Sequence, residues 1–207
     1  MSKRTHAVQK KLYLYNLEMA YLIVGLGNPD KEYSETRHNI GFMFLDTLAK
    51  NIKASDFALE KKLLAETAVG KFNDQRVVLA KPQTFVNKSG EAVKKLKLFY
   101  KVPTKNIIII HDDLDVPFGS TKLTPGSGSG GHKGVQSIIG HLKTEDIKRL
   151  KIGLANSKLK LARNQKSDQK RKELIGDFVL SKFTPGEREQ LKKVFKEGLE
   201  KLTQAVS

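Results

Sequence analysis

At 207 residues the chain is long enough for one domain with its own core, and 38 Lys plus Arg against 22 Asp plus Glu give it a formal charge of +16. The absence of Cys excludes disulfides, thiolate metal sites and Cys nucleophiles, and fits a reducing compartment such as the cytoplasm. No apolar run suffices to cross a bilayer, since the longest candidate, Leu12 to Val24, is broken by Asn16 and Glu18; the charge excess points to a polyanionic partner, nucleic acid or an anionic membrane surface.

Residues 1–20 carry Lys3, Arg4, His6, Lys10 and Lys11 ahead of the first acid and read as a poorly ordered basic extension. With one Arg and one Ser they make only a thin case for an organellar transit peptide. Residues 21–207 read as a single domain. Tyr21 to Leu26 is an apolar run closed by Gly25-Leu26-Gly27-Asn28-Pro29, which predicts a buried strand and a turn. A polar loop then brings Arg37, His38 and Asn39 to a helix over residues 40–52, with Ile40, Met43, Phe44, Leu45 and Leu48 on its buried face and Asn39 at its N-cap. Asn28 and His38 are thereby expected at the carboxyl end of one central strand, the edge where open α/β sheets bind ligands.

Strands are expected at 64–69 and 76–80 around an Asn73-Asp74 turn. The connector 81–90 leads to a helix burying Ala92, Val93, Leu96 and Phe99, stopped by Val102-Pro103. Four consecutive Ile, 107–110, predict a strand covered on both faces that runs into His111-Asp112-Asp113-Leu114-Asp115. A strand at 119–124, a Gly/Ser-rich loop at 125–131, a helix at 134–142 and a strand at 149–154 follow. Residues 155–172, with seven Lys/Arg and one acid, read as an exposed basic loop, and 178–180 as a short strand. Thr184 and Pro185 cap a final helix running to about residue 202. The alternation gives an α/β class: a single-domain three-layer sandwich, a mixed, largely parallel sheet flanked by helices.

Several patterns bear on chemistry. Gly25-x-Gly27-x-x-Asp30 misses the dinucleotide fingerprint, because Asp30 replaces the third glycine and Pro29 lacks a backbone donor. Gly126-x-Gly128-x-x-Gly131 is a donor-rich loop at a helix start that is suited to a phosphate or carbonyl, or is simply mobile. His38, His111, Asp112, Asp113, Asp115 and His132 supply enough ligands for a metal, without diagnostic spacing. A His–Asp pair needs no metal: Asp112 can accept a hydrogen bond from His38 and steady the imidazolium formed when His38 activates water. Neutral Asn side chains nearby can hold a carbonyl oxygen as charge develops. No Gly-x-Ser-x-Gly elbow offers a Ser nucleophile.

Gly-Leu-Gly-Asn-Pro (25–29), Tyr33, Thr-Arg-His-Asn-Ile-Gly-Phe (36–42), Lys-Pro-Gln-Thr-Phe-Val-Asn-Lys-Ser-Gly (81–90), His-Asp-Asp-Leu-Asp-Val-Pro-Phe-Gly (111–119), Gly-Gly-His-Lys-Gly (130–134), Arg-Leu-Lys-Ile-Gly (149–153) and Asp-Phe-Val-Leu (177–180) occur in one order. As an ordered set they resemble bacterial-type peptidyl-tRNA hydrolases. The resemblance implies a monomeric, cytoplasmic enzyme that cleaves the ester between a peptide and the 3′ ribose of tRNA, with no cofactor and no metal. It implies His38 as general base, Asp112 as its acidic partner, Asn28 and Asn87 as amides orienting water and peptide, and Tyr33 and Phe85 lining the site. The charge suits the tRNA acceptor stem and 3′ CCA end as partner. Lys133 stands where the family has Asn and is expected to meet a phosphate or the substrate carbonyl instead. Asp30 replaces a usual Gly, the 155–172 segment is longer and more basic than its counterpart, and residues 1–20 have none. A non-catalytic RNA-binding protein on the same scaffold and a metal-dependent hydrolase are the alternatives.

Overall fold

The computed structural model describes residues 20–206, so the expected extension lies outside the described residues apart from Ala20. The strands are β1 (Tyr21–Gly25), β2 (Ala58–Glu60), β3 (Ala65–Phe72), β4 (Gln75–Pro82), β5 (Ile107–Pro117), β6 (Thr121–Thr124) and β7 (Lys148–Ala155). The helices are α1 (Ile40–Asn51), α2 (Ser89–Phe99), α3 (Lys133–Leu142), α4 (Ser157–Arg163), α5 (Asp168–Leu180) and α6 (Pro185–Ala205).

The strands form a seven-stranded sheet in the order β2-β3-β4-β1-β5-β7-β6. The four central strands β4, β1, β5 and β7 are parallel, while the β2–β3–β4 and β7–β6 flanks are antiparallel. Alternate residues of the central strands feed two cores. Ile23, Ile108 and Ile110 pack with Phe44 of α1 and Phe195 of α6, while Leu22, Val24, Ile107 and Ile109 pack with Val93 of α2 and Val135 and Ile138 of α3. The run of four Ile is apolar throughout because both faces are covered, and each such buried side chain contributes roughly 1.5–3 kcal/mol. The β3–β4 turn places Asn73 and Asp74 at φ 50° and 57°, the left-handed pair that suits a tight hairpin. Thr184 caps α6 through a reciprocal box with Glu187.

Three local expectations are overturned. The basic segment is α4 and the start of α5, capped by the side chains of Asn156 and Ser167, and residues 178–180 are the last turn of α5 rather than a strand. Leu174, Ile175, Phe178 and Val179 lie at helical spacing, which turns Phe178 into the core. Phe99, at the end of α2, is 40% exposed and sits edge-on to Tyr100 instead of being buried. Asn39 occupies the N-cap of α1 but makes no capping bond, because its side chain is used elsewhere.

Candidate active site

The site forms where β1 and β5 end. A Cβ on Gly41 would lie 2.5 Å from both the Ile110 carbonyl oxygen and the Leu26 nitrogen, so the first turn of α1 sits directly on the strand ends. That close approach delivers the short 3₁₀ turn Arg37–Asn39 to the sheet edge. Asn39 clamps the Gly-Asn-Pro turn: its Oδ1 accepts from the Asn28 N–H and its Nδ2 donates to the Asn28 carbonyl, both at 2.9 Å. Arg37, 4% exposed, donates to the Lys182 carbonyl at 2.6 Å and to both oxygens of Glu187 at 2.9 and 2.7 Å. Its guanidinium also stacks over Phe178 and Phe183.

His38 Nδ1 lies 2.9 Å from Asp112 Oδ1, and His132 Nε2 lies 3.0 Å from the same oxygen. His132 caps α3, its Nδ1 accepting from the Gly134 and Val135 N–H groups at 3.1 and 3.3 Å. An accepting Nδ1 puts the His132 proton on Nε2, where it is donated to Asp112. His38 correspondingly donates from Nδ1, which leaves its Nε2 lone pair uncommitted among the described residues. Burial penalises the Asp112 carboxylate, but the neighbouring imidazoles and their hydrogen bonds outweigh that and hold it well below the usual carboxylate range. Burial opposes the His38 imidazolium; the charge and hydrogen bond of Asp112 override it, and Lys133 pulls the other way, with the pKa ending above the ordinary imidazole value.

Among the other titratable groups, His111 donates from Nδ1 to the Asp112 carbonyl at 2.6 Å, and burial, assisted by His132, pushes its pKa down to about 3. It is a neutral brace for the strand end. Asp113 binds Lys151 at 2.8 Å and Asp115 binds Arg163 at 2.8 Å. The six candidate metal ligands therefore reduce to His38, Asp112 and His132, whose donor atoms lie within 4.8 Å of one another.

Asn28 is buried, and its Oδ1 accepts the Val86 N–H at 2.9 Å, tying the connector 81–90 to the β1 turn and leaving Nδ2 as the group it can offer. Asn87 is exposed on the following turn, Val86–Lys88, and Phe85 beside it is 53% exposed. Tyr33 is half-buried in the turn Lys31–Tyr33, and Lys133 is the exposed first residue of α3. Asn28, Asp30, Asn39, Phe42, Lys81 and Gln83 line part of a cleft of about 260 Å³. Sequence reasoning singles out His38 and Asp112. It treats His132 only as a potential metal ligand and Asn39 only as an N-cap, and gives no part to Arg37. The one signal for these residues is their place in the same short motifs as His38 and Lys133.

These features define an α/β protein with a His–Asp–His cluster at the carboxyl edge of a mixed sheet. A family profile described as Peptidyl-tRNA hydrolase matches residues 22–207. The Aquifex aeolicus peptidyl-tRNA hydrolase is 38% identical over 185 residues, covering 89% of each chain. The chloroplastic peptidyl-tRNA hydrolase of Arabidopsis thaliana is 41% identical over 186 residues; the match covers 89% of this chain and 59% of that longer relative. The crystal structure of the Acinetobacter baumannii peptidyl-tRNA hydrolase superposes with a TM-score of 0.77 at 30% identity, covering 92% of this chain and 94% of that one. The chain belongs to the peptidyl-tRNA hydrolase family.

Proposed function

We propose that residues 21–207 form one catalytic domain that hydrolyses the ester joining a peptide to the tRNA 3′ ribose, with His38 as general base. His38 Nε2 takes a proton from water as the water oxygen attacks the ester carbonyl carbon. Asp112 stabilises the imidazolium through Nδ1, and His132 holds Asp112 in place from the other side. The tetrahedral intermediate collapses, and the imidazolium returns the proton to the departing 3′ oxygen. The products are a free tRNA and a peptide acid. Asn28 offers Nδ2 to the developing oxyanion. Because Asn28 Oδ1 is engaged by Val86, the amide oxygen that accepts a peptide N–H falls to Asn87. A free α-amine placed there would carry its charge into a site matched to a neutral donor, which favours blocked over free aminoacyl groups. Tyr33 and Phe85 flank the substrate, and Lys133 meets a phosphate or the ester carbonyl.

The observation that carries this reading is the His38 Nδ1–Asp112 Oδ1 contact of 2.9 Å with Nε2 left for water. The reaction is proposed to be metal-independent, since both imidazole nitrogens facing Asp112 are occupied in donating to it. The enzyme is proposed to act as a cytoplasmic monomer, and among the described residues no helix is long and apolar enough to cross a membrane. N-acetyl-aminoacyl-tRNA and free aminoacyl-tRNA, each offered with and without EDTA, test the scheme. Release of tRNA from the blocked substrate alone, unaffected by EDTA and lost in His38→Ala, is expected. Loss of activity on chelation would assign the cluster to a metal.

A further inference from the structure

The basic segment 155–172 is folded and fixed. Asn156 caps α4 and Ser167 caps α5. Arg163 at the end of α4 pairs with Asp115, three residues beyond Asp112 on β5, at 2.8 Å. At the far end of α5, Ser181 and Lys182 are held by the Arg37 guanidinium, one residue before His38. The junction of the two helices and the far end of α5 are thus tied to the two chain segments that carry the His–Asp pair. Between residues 157 and 180 there are seven Lys or Arg and three acids. Of the acids, Asp168 is paired with Arg171. Lys158, Lys160, Lys166, Lys170 and Lys172 are all exposed, and among the described residues none of them holds an ion pair.

We propose that the α4–α5 pair is a preorganised phosphate-binding surface that grips the tRNA body beyond its 3′ end. The inference rests on the hydrolase reading for the identity of the RNA. Unpaired lysines on capped, anchored helices are a sequence-independent match for a phosphate backbone, and their contribution is ionic, hence strongly salt-dependent. Because the helices are tethered beside His38 and Asp112, RNA bound on them is held at the site entrance. Their effect belongs to binding and not to the chemical step. An apolar partner groove is disfavoured by the composition: Leu161 and Leu180 are the large exposed apolar residues of the pair.

The test measures affinity of the full chain for deacylated full-length tRNA and for the trinucleotide CCA over a range of salt. Wild type is compared with a variant carrying Lys158→Gln, Lys160→Gln, Lys166→Gln, Lys170→Gln and Lys172→Gln, and circular dichroism verifies its fold. Expected is a tRNA affinity weaker by about tenfold or more at low salt, with a logarithmic salt slope reduced by about 0.7–0.9 for each phosphate that is no longer neutralised. Affinity for CCA is expected to be unaltered. An unchanged tRNA affinity and slope would overturn the proposal. So would an equal loss per charge in Lys192→Gln, Lys193→Gln, Lys196→Gln on α6, which would mean net charge alone. Loss of binding to anionic vesicles with tRNA affinity intact would assign the helices to a membrane instead. Since deacylated RNA is used, failure here is separable from failure of the hydrolase assignment, which turnover reads independently.

Discussion

The imidazoles of His38 and His132 end on one oxygen of Asp112, at 2.9 and 3.0 Å, approached from opposite elements of the fold. His132 serves two roles at once, because its other nitrogen caps α3. His132→Asn is expected to retain the cap, since Asn is a favoured N-cap residue, while losing reach to Asp112. The outcome should be a Tm within a few degrees of wild type and a kcat lower by roughly 10²-fold, the lower range for an acid–base contribution. Full kcat in this variant would remove His132 from the site.

The pH profile of kcat/KM should report His38, which in the proposed scheme must be neutral to accept a proton. Its pKa lies above the ordinary imidazole value of about 6.5, so the rate rises through a midpoint on the alkaline side of that value. Lys133 opposes the imidazolium, and removing its charge therefore raises that pKa further. Lys133→Asn is expected to move the acid limb to higher pH. A move to lower pH would show that the lysine does not act on His38.

Asp112→Asn keeps the size of the side chain and removes its charge. The Asn can then present an N–H to His38 Nδ1, favouring the wrong tautomer and taking the lone pair out of position. A fall in kcat of about 10⁴-fold is expected, by analogy with the same change in a Ser-His-Asp triad, with tRNA affinity retained. Parallel loss of tRNA binding would indicate collapse of the site instead.

Asp30 holds φ 77° and ψ 141°, a backbone conformation strained for any residue with a Cβ. Asp30→Gly should stabilise the chain by about 1 kcal/mol, the relieved strain of about 1–3 kcal/mol being partly offset by glycine's unfolded-state entropy. The urea midpoint reads this, and a drop would mean that the Asp30 side chain makes a compensating interaction.

Arg37→Lys tests how the His38 turn is fixed. The planar fork of Arg37 binds both Glu187 oxygens and three groups at residues 181–182, which an ammonium cannot match. A loss of about 2–4 kcal/mol in unfolding free energy is expected, below the figure for a fully severed buried pair. A change under about 0.5 kcal/mol would place the turn's stability elsewhere.

The elements with a clear period are legible in the chain. The four Ile, the stripe of α1, the Asn73-Asp74 hairpin and the Thr184-Pro185 start of α6 each carry a local physical signal that tertiary packing reinforces. The motifs of residues 25–42 and 111–134 also identify His38 and Asp112 as a pair. The α4–α5 segment reads as a loop because its charge density matches loop composition. Its helicity depends on two side-chain caps and on burial of Phe178 against Arg37.

By itself, then, the sequence determined the layer architecture, the chain's own basic charge and the residue types able to activate water, because these follow from periodicity, composition and chemical inventory. Only the tertiary structure decided that one carboxylate oxygen serves two histidines, and that Asn28 spends its oxygen on Val86 and leaves an N–H to offer. Those choices are hydrogen-bond geometry between segments 20 to 74 residues apart, for which no local pattern in a chain encodes the angle. The opening Gly-Asn-Pro turn needed Asn39 behind it to become a rigid platform, and that clamp exists only once α1 is seated on the ends of β1 and β5.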